Sequence, residues 1–374
     1  MKRRAANEGT VCKRGDGRWC AALSVDGRRK FFYAKTQQAA LAKLREAQRA
    51  LADGLPLSDQ RRTVGGVLTD WLEAVAPNVR PRTLVRYREI ASLHLIPALG
   101  NVRLARLTPA HVEKLMASTI AAGASPRTAA HCRAVLREAL NAAMRWAWVG
   151  RNAASLAQPP RIPEREVRPL SLADARAVLL AVTGDRLEAL FTVALAVGLR
   201  QGEALGLRWP DLDLDGGTLS VQRSLQRVDG AWAFVEPKTA RSRRTVPLPA
   251  QVVVALREHR SRQLQERLRL GPAWEGEKWG DLVFADEAGG PLSGFHVSRR
   301  FKALLAMAGL PGMRYHELRH GAASLMAALG VPVRVAMEIL GHSQISTTMN
   351  VYAHVAPDLG REAADRVASA LWGN

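Results

Sequence analysis

His316, Arg319, His342 and Tyr352 lie within fewer than forty residues, in the stretch HELRHGAASLMAALGVPVRVAMEILGHSQISTTMNVYAH that runs from His316 to His354. In HELR the histidine and the arginine are three residues apart, so on a helix they project from one face, a turn from each other. Ten residues separate His342 from Tyr352, with a turn at Gly341 and a helix start at Ser346 or Thr347 between the two motifs. Two imidazoles, a guanidinium and a phenol are the groups that would surround a phosphate attacked by a tyrosine. Taken singly, each is more often a surface or core residue, and His320 and His354 are read as structural groups flanking the set. The conjunction is what points to chemistry.

Other elements must bring further charge to that stretch. Arg200 follows directly on a helix that Gly198 should stop, in GLRQGEALGLRWPDLDLD. Helices are expected at Leu172–Val182 and Arg186–Val197, strands at Leu219–Ser224, Ala231–Val235 and Thr245–Leu248, and helices again at Gln251–Leu270 and Phe295–Ala308. Lys238 sits in PKTARSRR, the loop between the second and third strands. Asp211, Asp213 and Asp215 alternate beside a turn and read as a solvated loop rather than a metal cluster. No Walker loop, GxGxxG, zinc spacing or long repeat is present, so nucleotide hydrolysis and zinc chemistry have no sequence support.

Charge is distributed unevenly along the 374 residues. Residues 1–62 hold 15 Lys and Arg against 6 Asp and Glu, residues 63–165 hold 14 against 6, and residues 166–374 hold 25 against 22. Most of the net charge of +20 is thus in the first 165 residues, a density suited to releasing counterions from a phosphate backbone. A membrane surface would need a basic amphipathic helix with large apolar anchors, which is not seen. Neither a run of eighteen apolar residues nor an apolar segment after Met-Lys-Arg-Arg occurs, and Cys12, Cys20 and Cys132 are odd in number without metal-ligand spacing. A reducing cytoplasm is the expected compartment.

The expected fold class is multidomain α+β. Residues 1–55 should form a three-stranded sheet and a helix, because Asp16-Gly17 and Asp26-Gly27 divide short alternating runs and Leu41, Leu44 and Leu51 line a helix over 37–52. A linker is expected over 56–63 and a four-helix domain over 64–152, with helices at Val64–Val75, Pro81–Leu95, Thr108–Ala122 and Ser125–Trp148. Met144, Trp146 and Trp148 are assigned to its core. Pro159, Pro160 and Pro163 mark a second linker over 153–168, and 169–374 should be a mainly α domain with a small antiparallel sheet. Arg18, Arg28, Arg29 and Lys30 on or near the first sheet, and Arg80, Arg82, Arg86, Arg88 and Arg127 at helix starts, are candidate DNA contacts.

Arg200 in GLRQGE, Lys238 in PKTARSRRTVPL, His316 and Arg319 in HELRH, His342 in LGH and Tyr352 in STTMNVYAH occur in this order, and together they resemble the tyrosine recombinases of the phage-integrase type. The front of the chain resembles an arm-binding domain followed by a helical core-binding domain. Glu317 stands where many members of that family have aspartate. The resemblance implies DNA strand exchange without metal, nucleotide or other cofactor. By it, Tyr352 attacks the scissile phosphate to give a 3′-phosphotyrosine and a free 5′-hydroxyl, which later attacks the partner strand's linkage.

In that chemistry Arg200 and Arg319 would contact the non-bridging oxygens with bidentate, permanently charged forks. Lys238 would protonate the leaving oxygen, and His316 and His342 would donate to the phosphate, with His316 also placed to take the phenol proton. An unassisted phenolate costs about 4 kcal/mol at neutral pH, so a cationic surround from the two arginines is expected. Of the four tyrosines, Tyr33 and Tyr87 lie in the front modules, and Tyr315 does not share a helix face with its neighbour His316.

The implied partners are double-stranded DNA with core and arm attachment sites, a homotetramer on two duplexes, a host DNA-bending protein and a directionality factor. The C-terminal PDLGREAADRVASALWGN should form a helix with Leu359, Val367 and Leu371 as contacts, docking on its own domain or on a neighbouring subunit. Alternatives are a Xer-like resolvase, a type IB topoisomerase and a non-catalytic DNA-binding regulator. The arm-like front domain favours an integrase, and a regulator would not need all six positions.

Overall fold

The computed structural model describes residues 9–25, 28–52, 61–163, 170–236, 243–342, 344–345, 348–349, 352, 365 and 367–373. It divides into two compact units, 1–164 and 165–374. Lys238, the helix start at Ser346 and Thr347, Asp26-Gly27 and Leu359 fall outside the described residues.

In the first unit, β1 (Thr10–Lys13), β2 (Trp19–Val25) and β3 (Arg28–Ala34) form an antiparallel sheet in the order β1-β2-β3, and α1 (Gln37–Ala52) covers one face. Ala21 and Leu23 of β2 are buried against Ala40, Leu44 and Ala47 of α1, with Phe32 and Ala34 packed beside them. Leu41 is exposed, contrary to its expected inward position. Because side chains alternate across a strand, Arg29, Phe31 and Tyr33 fall on the face opposite α1, whereas Lys30, paired with Leu23, is on the covered side.

The helical part of this unit comprises α2 (Val64–Val75), α3 (Pro81–Ile90), α4 (Ile96–Leu99), α5 (Pro109–Ala121), α6 (Pro126–Arg145) and α7 (Ala153–Leu156). Thr63 and Ser125 side chains accept from Gly66 and Thr128 amides, and Thr108 and Ser125 each precede a proline at the first helical position. The helix expected to end at Leu95 instead runs on through a π-helical turn, Ala91–Leu95, into α4. The linker expected from 153 begins with α7, whose Ala153 and Ala154 are buried with Ala157 in this core. Trp146 and Trp148 pack on the core, but Met144 is exposed.

The second unit is built around α9 (Glu188–Val197), whose Leu190, Phe191, Val193 and Ala194 are buried in one apolar core with Phe284 and Phe301. Packed with it in that unit are α8 (Leu172–Val182), α11 (Ala250–Leu270), α12 (Gly294–Met307), α13 (Tyr315–Ala328) and α14 (Val333–Leu340). The expected first strand is broken at Gln222 and Arg223, and among the described residues five strands form two sheets. β4 (Leu212–Asp213), β5 (Thr218–Val221) and β8 (Arg244–Pro247) make one, and β6 (Ser224–Val228) pairs with β7 (Ala231–Val235) in the other. Asp211 is not solvated as expected: it is buried, its carboxylate accepting from Arg223 and from the Arg208 amide. Val367 and Leu371 are exposed on their short helix.

A buried polar cluster fixes α11. Arg262 donates to His259 Nδ1 (2.9 Å) and His259 Nε2 donates to the Val283 carbonyl (2.7 Å), an arrangement that only the neutral ring satisfies. Burial, above all, lowers the His259 pKa from 6.5 to about 4. The unfolded chain therefore binds this proton between pH 6.5 and 4 while the folded one does not, and the linked stability, up to roughly 3 kcal/mol, is lost as pH falls through that window. Urea unfolding at pH 7 and pH 4.5 should show the loss, and a His259→Gln variant should show a smaller one. Equal pH dependence in the two proteins would contradict it.

Candidate active site

The site starts where α9 ends. Gly198 takes a left-handed conformation (φ +71°) that stops the helix, and a Cβ there would come within 2.4 Å of Leu340 and 3.2 Å of Ala322. The bare glycine thus lets α13 and α14 close onto the end of α9. Its carbonyl accepts from the Arg319 guanidinium across 121 residues of sequence.

Arg200 leads into α10 (Gln201–Leu205). Its Nη1 donates to Glu203 Oε1 (2.6 Å) and its Nη2 to the Gly341 carbonyl (2.9 Å). The same Glu203 carboxylate accepts from Arg244 through Oε2 (3.1 Å). Burial pushes the Glu203 carboxyl up, but Arg244 and then Arg200 outweigh it, and the group is held below its usual range as an anion. Glu203 and Arg244 were not foreseen. A glutamate three residues after Arg200, on what becomes the first turn of a helix, was the available signal for the first; nothing set Arg244 apart from the other arginines of its loop.

Arg319 on α13 is 4% exposed, and burial together with the nearby Arg200 brings its pKa down to about 9, so it remains charged at neutral pH. While Nη1 is bonded to Gly198, Nη2 is buried with no hydrogen-bond partner among the described residues. A buried charged donor left unpaired is costly and calls for a ligand of opposite charge. One turn earlier, His316 is exposed, its ring 5.0 Å from that of His320 and edge-on to it. Burial first, then His320, Arg319 and Arg200, hold its pKa below the ordinary value, so it is neutral and able to accept a proton.

His342 follows the left-handed Gly341 that ends α14. Its Nδ1 lies 2.8 Å from the hydroxyl of Thr348, which is fully buried. Burial, then Arg319 and Arg200, lower the His342 pKa to about 4.

Arg200, Arg319, His316 and His342 are therefore gathered, each electrostatically coupled to others of the set. The Tyr352 hydroxyl is not bonded to them: it donates to the Val331 carbonyl (2.9 Å). Burial raises its pKa, with no arginine offsetting the rise, so the expected cationic surround of the phenol is not present in this arrangement. Tyr315 is buried in the apolar core beside Phe191, with its pKa raised.

Of the candidate DNA contacts, Arg18 is exposed at the β1–β2 turn and paired with Asp16 (2.7 Å), and Arg86 is paired with Glu89 (3.1 Å). Arg82 is exposed in the first turn of α3, and Arg127 is exposed in the first turn of α6. Arg28 is described only as part of β3, and Lys30 is on the covered face. Among the described residues, no group of three His, Cys, Asp or Glu could hold a metal, and no helix is long and apolar enough to cross a membrane.

The donor set makes a specific demand on His342. A neutral ring that accepts the Thr348 hydroxyl proton at Nδ1 carries its own proton on Nε2, the tautomer expected here. Nitrogen-resolved NMR of the imidazoles at pH 7 should show His342 protonated at Nε2 alone, and Thr348→Val should introduce the Nδ1-protonated form. A ring protonated at both nitrogens at pH 7 would contradict the assignment.

Residues 164–358 match the phage integrase family, and residues 63–118 match the N-terminal SAM-like domain of phage integrases. Relatives include a protein described as tyrosine recombinase XerC-like from Caldanaerobacter subterraneus subsp. tengcongensis, 31% identical over 346 residues and covering 88% of each chain. An integrase of Streptomyces ambofaciens is 32% identical over 367 residues, 91% of this chain and 92% of that one. Among solved structures, the Tn1549 transposon integrase in complex with transposon right end DNA has a TM-score of 0.71 at 22% identity, over 82% of this chain and 100% of that one. A lambda integrase tetramer bound to a Holliday junction has a TM-score of 0.58 at 20% identity, over 94% and 96% of the two chains; these two likenesses concern the fold. With the family matched across the unit that gathers two arginines and two histidines, and relatives matched along nearly the whole length, the chain belongs to the phage integrase family and is a tyrosine-type site-specific recombinase that cuts and rejoins DNA.

Proposed function

We propose that this recombinase integrates and excises a phage or other mobile element through a 3′-phosphotyrosine at Tyr352. The observation that carries the residue assignment is the buried Nη2 of Arg319, unpartnered among the described residues and beside the fixed guanidinium of Arg200. A scissile phosphate supplies the missing acceptors. Arg200 and Arg319 stabilise the charge that builds on the non-bridging oxygens, and His342 donates to the phosphate through Nε2. Neutral His316 takes the phenol proton as the tyrosine oxygen bonds to phosphorus, and Lys238 gives a proton to the departing 5′-oxygen. For this to occur Tyr352 must exchange its bond to Val331 for one within the site, a step assigned to DNA binding.

The rest of the chain supplies the DNA. Residues 1–55 are read as an arm-binding domain, 64–152 as a core-binding domain and 169–374 as the catalytic domain, with linkers at 56–63 and 153–168. Arg18 and Arg28 are assigned to the arm site and Arg82, Arg86 and Arg127 to the core site; the outward position of Arg29, Phe31 and Tyr33 adds these to the arm face in place of Lys30, which lies on the side covered by α1. The working form is a homotetramer on two duplexes in a bacterial host's cytoplasm at the nucleoid, assisted by a host bending protein and a directionality factor. The arm-like sheet favours an integrase over a resolvase or a topoisomerase.

Tyr352→Phe should abolish covalent adducts on a nicked suicide substrate while DNA binding stays intact; adducts formed by that variant would refute the assignment. Deleting residues 1–55 should spare cleavage at core sites but impair integration, and full integrative activity of the shortened protein would refute the arm-binding role. Affinity of the full chain should fall steeply as salt rises, by virtue of its basic front half.

A further inference from the structure

Arg244 opens β8 and pairs with Val221 at the end of a strand, yet its side chain is only 7% exposed. Two of its bonds reach different segments. Nε donates to the Ile339 carbonyl in the last turn of α14 (2.7 Å), and Nη2 donates to Glu203 Oε2 on α10 (3.1 Å). A cation at a helix C-terminus is favourably placed, since the free carbonyls there carry partial negative charge. The guanidinium also lies flat under the turn that follows: a Cβ on Gly341 would be 2.6 Å from Nη1 and 2.8 Å from Cζ. Gly341 therefore has a second reason to be glycine besides its φ of +66°.

These contacts close a ring. Glu203 binds Arg244 through one oxygen and Arg200 through the other. Gly341 binds Arg200 through its carbonyl, and Arg244 fills the space that a Cβ on it would take. His342 is the next residue. Three segments that are far apart in sequence, β8, α10 and the end of α14, thus meet on one guanidinium, and two site residues, Arg200 and His342, hang from the segments it joins.

We propose that Arg244 is a positioning residue for strand cleavage. It does not reach the phosphate; it holds the Glu203 carboxylate and the Gly341 turn in the one arrangement that aims Arg200 and His342 together. Lysine would keep the charge but not the fork, and could serve the carboxylate or the Ile339 carbonyl but not both. Stability alone is a poor account of the group, because a buried ion pair is often no more stabilising than well-packed apolar residues.

The inference rests on the assignment of Arg200, His342 and Tyr352 made above. Its test uses the full chain with a nicked suicide duplex carrying the element's own core site, read from the DNA that flanks the gene. Single-turnover adduct formation at saturating protein is measured for wild type, Arg244→Gln and Arg244→Lys, alongside DNA affinity and thermal unfolding. We expect Arg244→Gln to bind DNA within about threefold of wild type, because base and backbone contacts are made elsewhere, and to form adduct about 100-fold more slowly, the scale of a small misplacement of a reacting group. Arg244→Lys should recover about tenfold of that loss.

A merely structural role would lower the melting temperature while the folded, DNA-bound fraction cleaved at the wild-type rate. That outcome, a loss accounted for by weaker binding, or a lysine variant no faster than the glutamine one would overturn the proposal. If Arg244→Gln does not fold, the lysine variant decides: a wild-type rate overturns the proposal, and an approximately tenfold loss with binding intact supports it. Absence of any Tyr352 adduct with the wild-type chain would instead sink the site assignment, and so the two failures are distinguishable.

Discussion

Guanidinium groups cannot be crowded into a half-buried space unless an opposite charge holds them, and in this protein the charge is Glu203. One buried carboxylate accepts from Arg200 through one oxygen and from Arg244 through the other, and its own burial penalty is overcome by the two cations it joins. Arg319 completes the charged group; the Glu203 charge supports it, but among the described residues it has no ion pair of its own. Its Nη1 is satisfied by the Gly198 carbonyl and its Nη2 is unpaired among the described residues. The site is thus positively charged beyond what its own anion balances. On the proposed assignment, that surplus is the means by which a phosphate is recognised, and charge that develops on it during attack is met by groups already in place.

Holding the charges fixed places demands on the backbone. Gly198 must leave the helical conformation so that its carbonyl turns to Arg319, and it must lack a side chain so that Leu340 and Ala322 can approach. Gly341 must do the same on the opposite side, offering its carbonyl to Arg200 and its open face to Arg244. Depressed histidine pKa values follow from the same crowding. Partly removed from water, and next to several arginines, His316 and His342 have lowered pKa values and stay neutral, which suits their proposed roles as proton acceptor and as donor to the phosphate. Among the described site residues, Tyr352 is the one left outside, tethered by its hydroxyl to Val331. On the proposed assignment, its separation keeps the phenol un-ionised until a phosphate is bound.

Much of this was legible in the sequence because the chemistry is written in short local words. HELRH puts His316 and Arg319 on one helical face, GLR places an arginine just beyond a glycine stop, and the LGH and NVYAH words follow in order. The hairpin signal at Asp16-Gly17 and the N-cap and proline pairs at Thr108-Pro109 and Ser125-Pro126 located elements for equally local reasons. What was not legible depends on contacts across long separations. Arg244 looks like one more arginine of a basic loop until Ile339, 95 residues on, is seen to accept its Nε. Asp211 looked solvated because the alternation of its neighbours describes an exposed turn, and only the fold brings Arg223 to its carboxylate. The strand break at Gln222 and Arg223 and the π-helical turn at Ala91–Leu95 likewise answer to packing rather than to pattern.

The account stands or falls on which atom becomes linked to DNA. Wild-type protein trapped on a suicide duplex can be digested with protease and nuclease and the nucleotide-bearing peptide sequenced by mass spectrometry. The expected result is a single cross-link, at the Tyr352 oxygen, to a 3′-phosphate. A linkage at Tyr33, Tyr87 or Tyr315, a linkage to a 5′-phosphate, or cleaved DNA with no covalent peptide would contradict it.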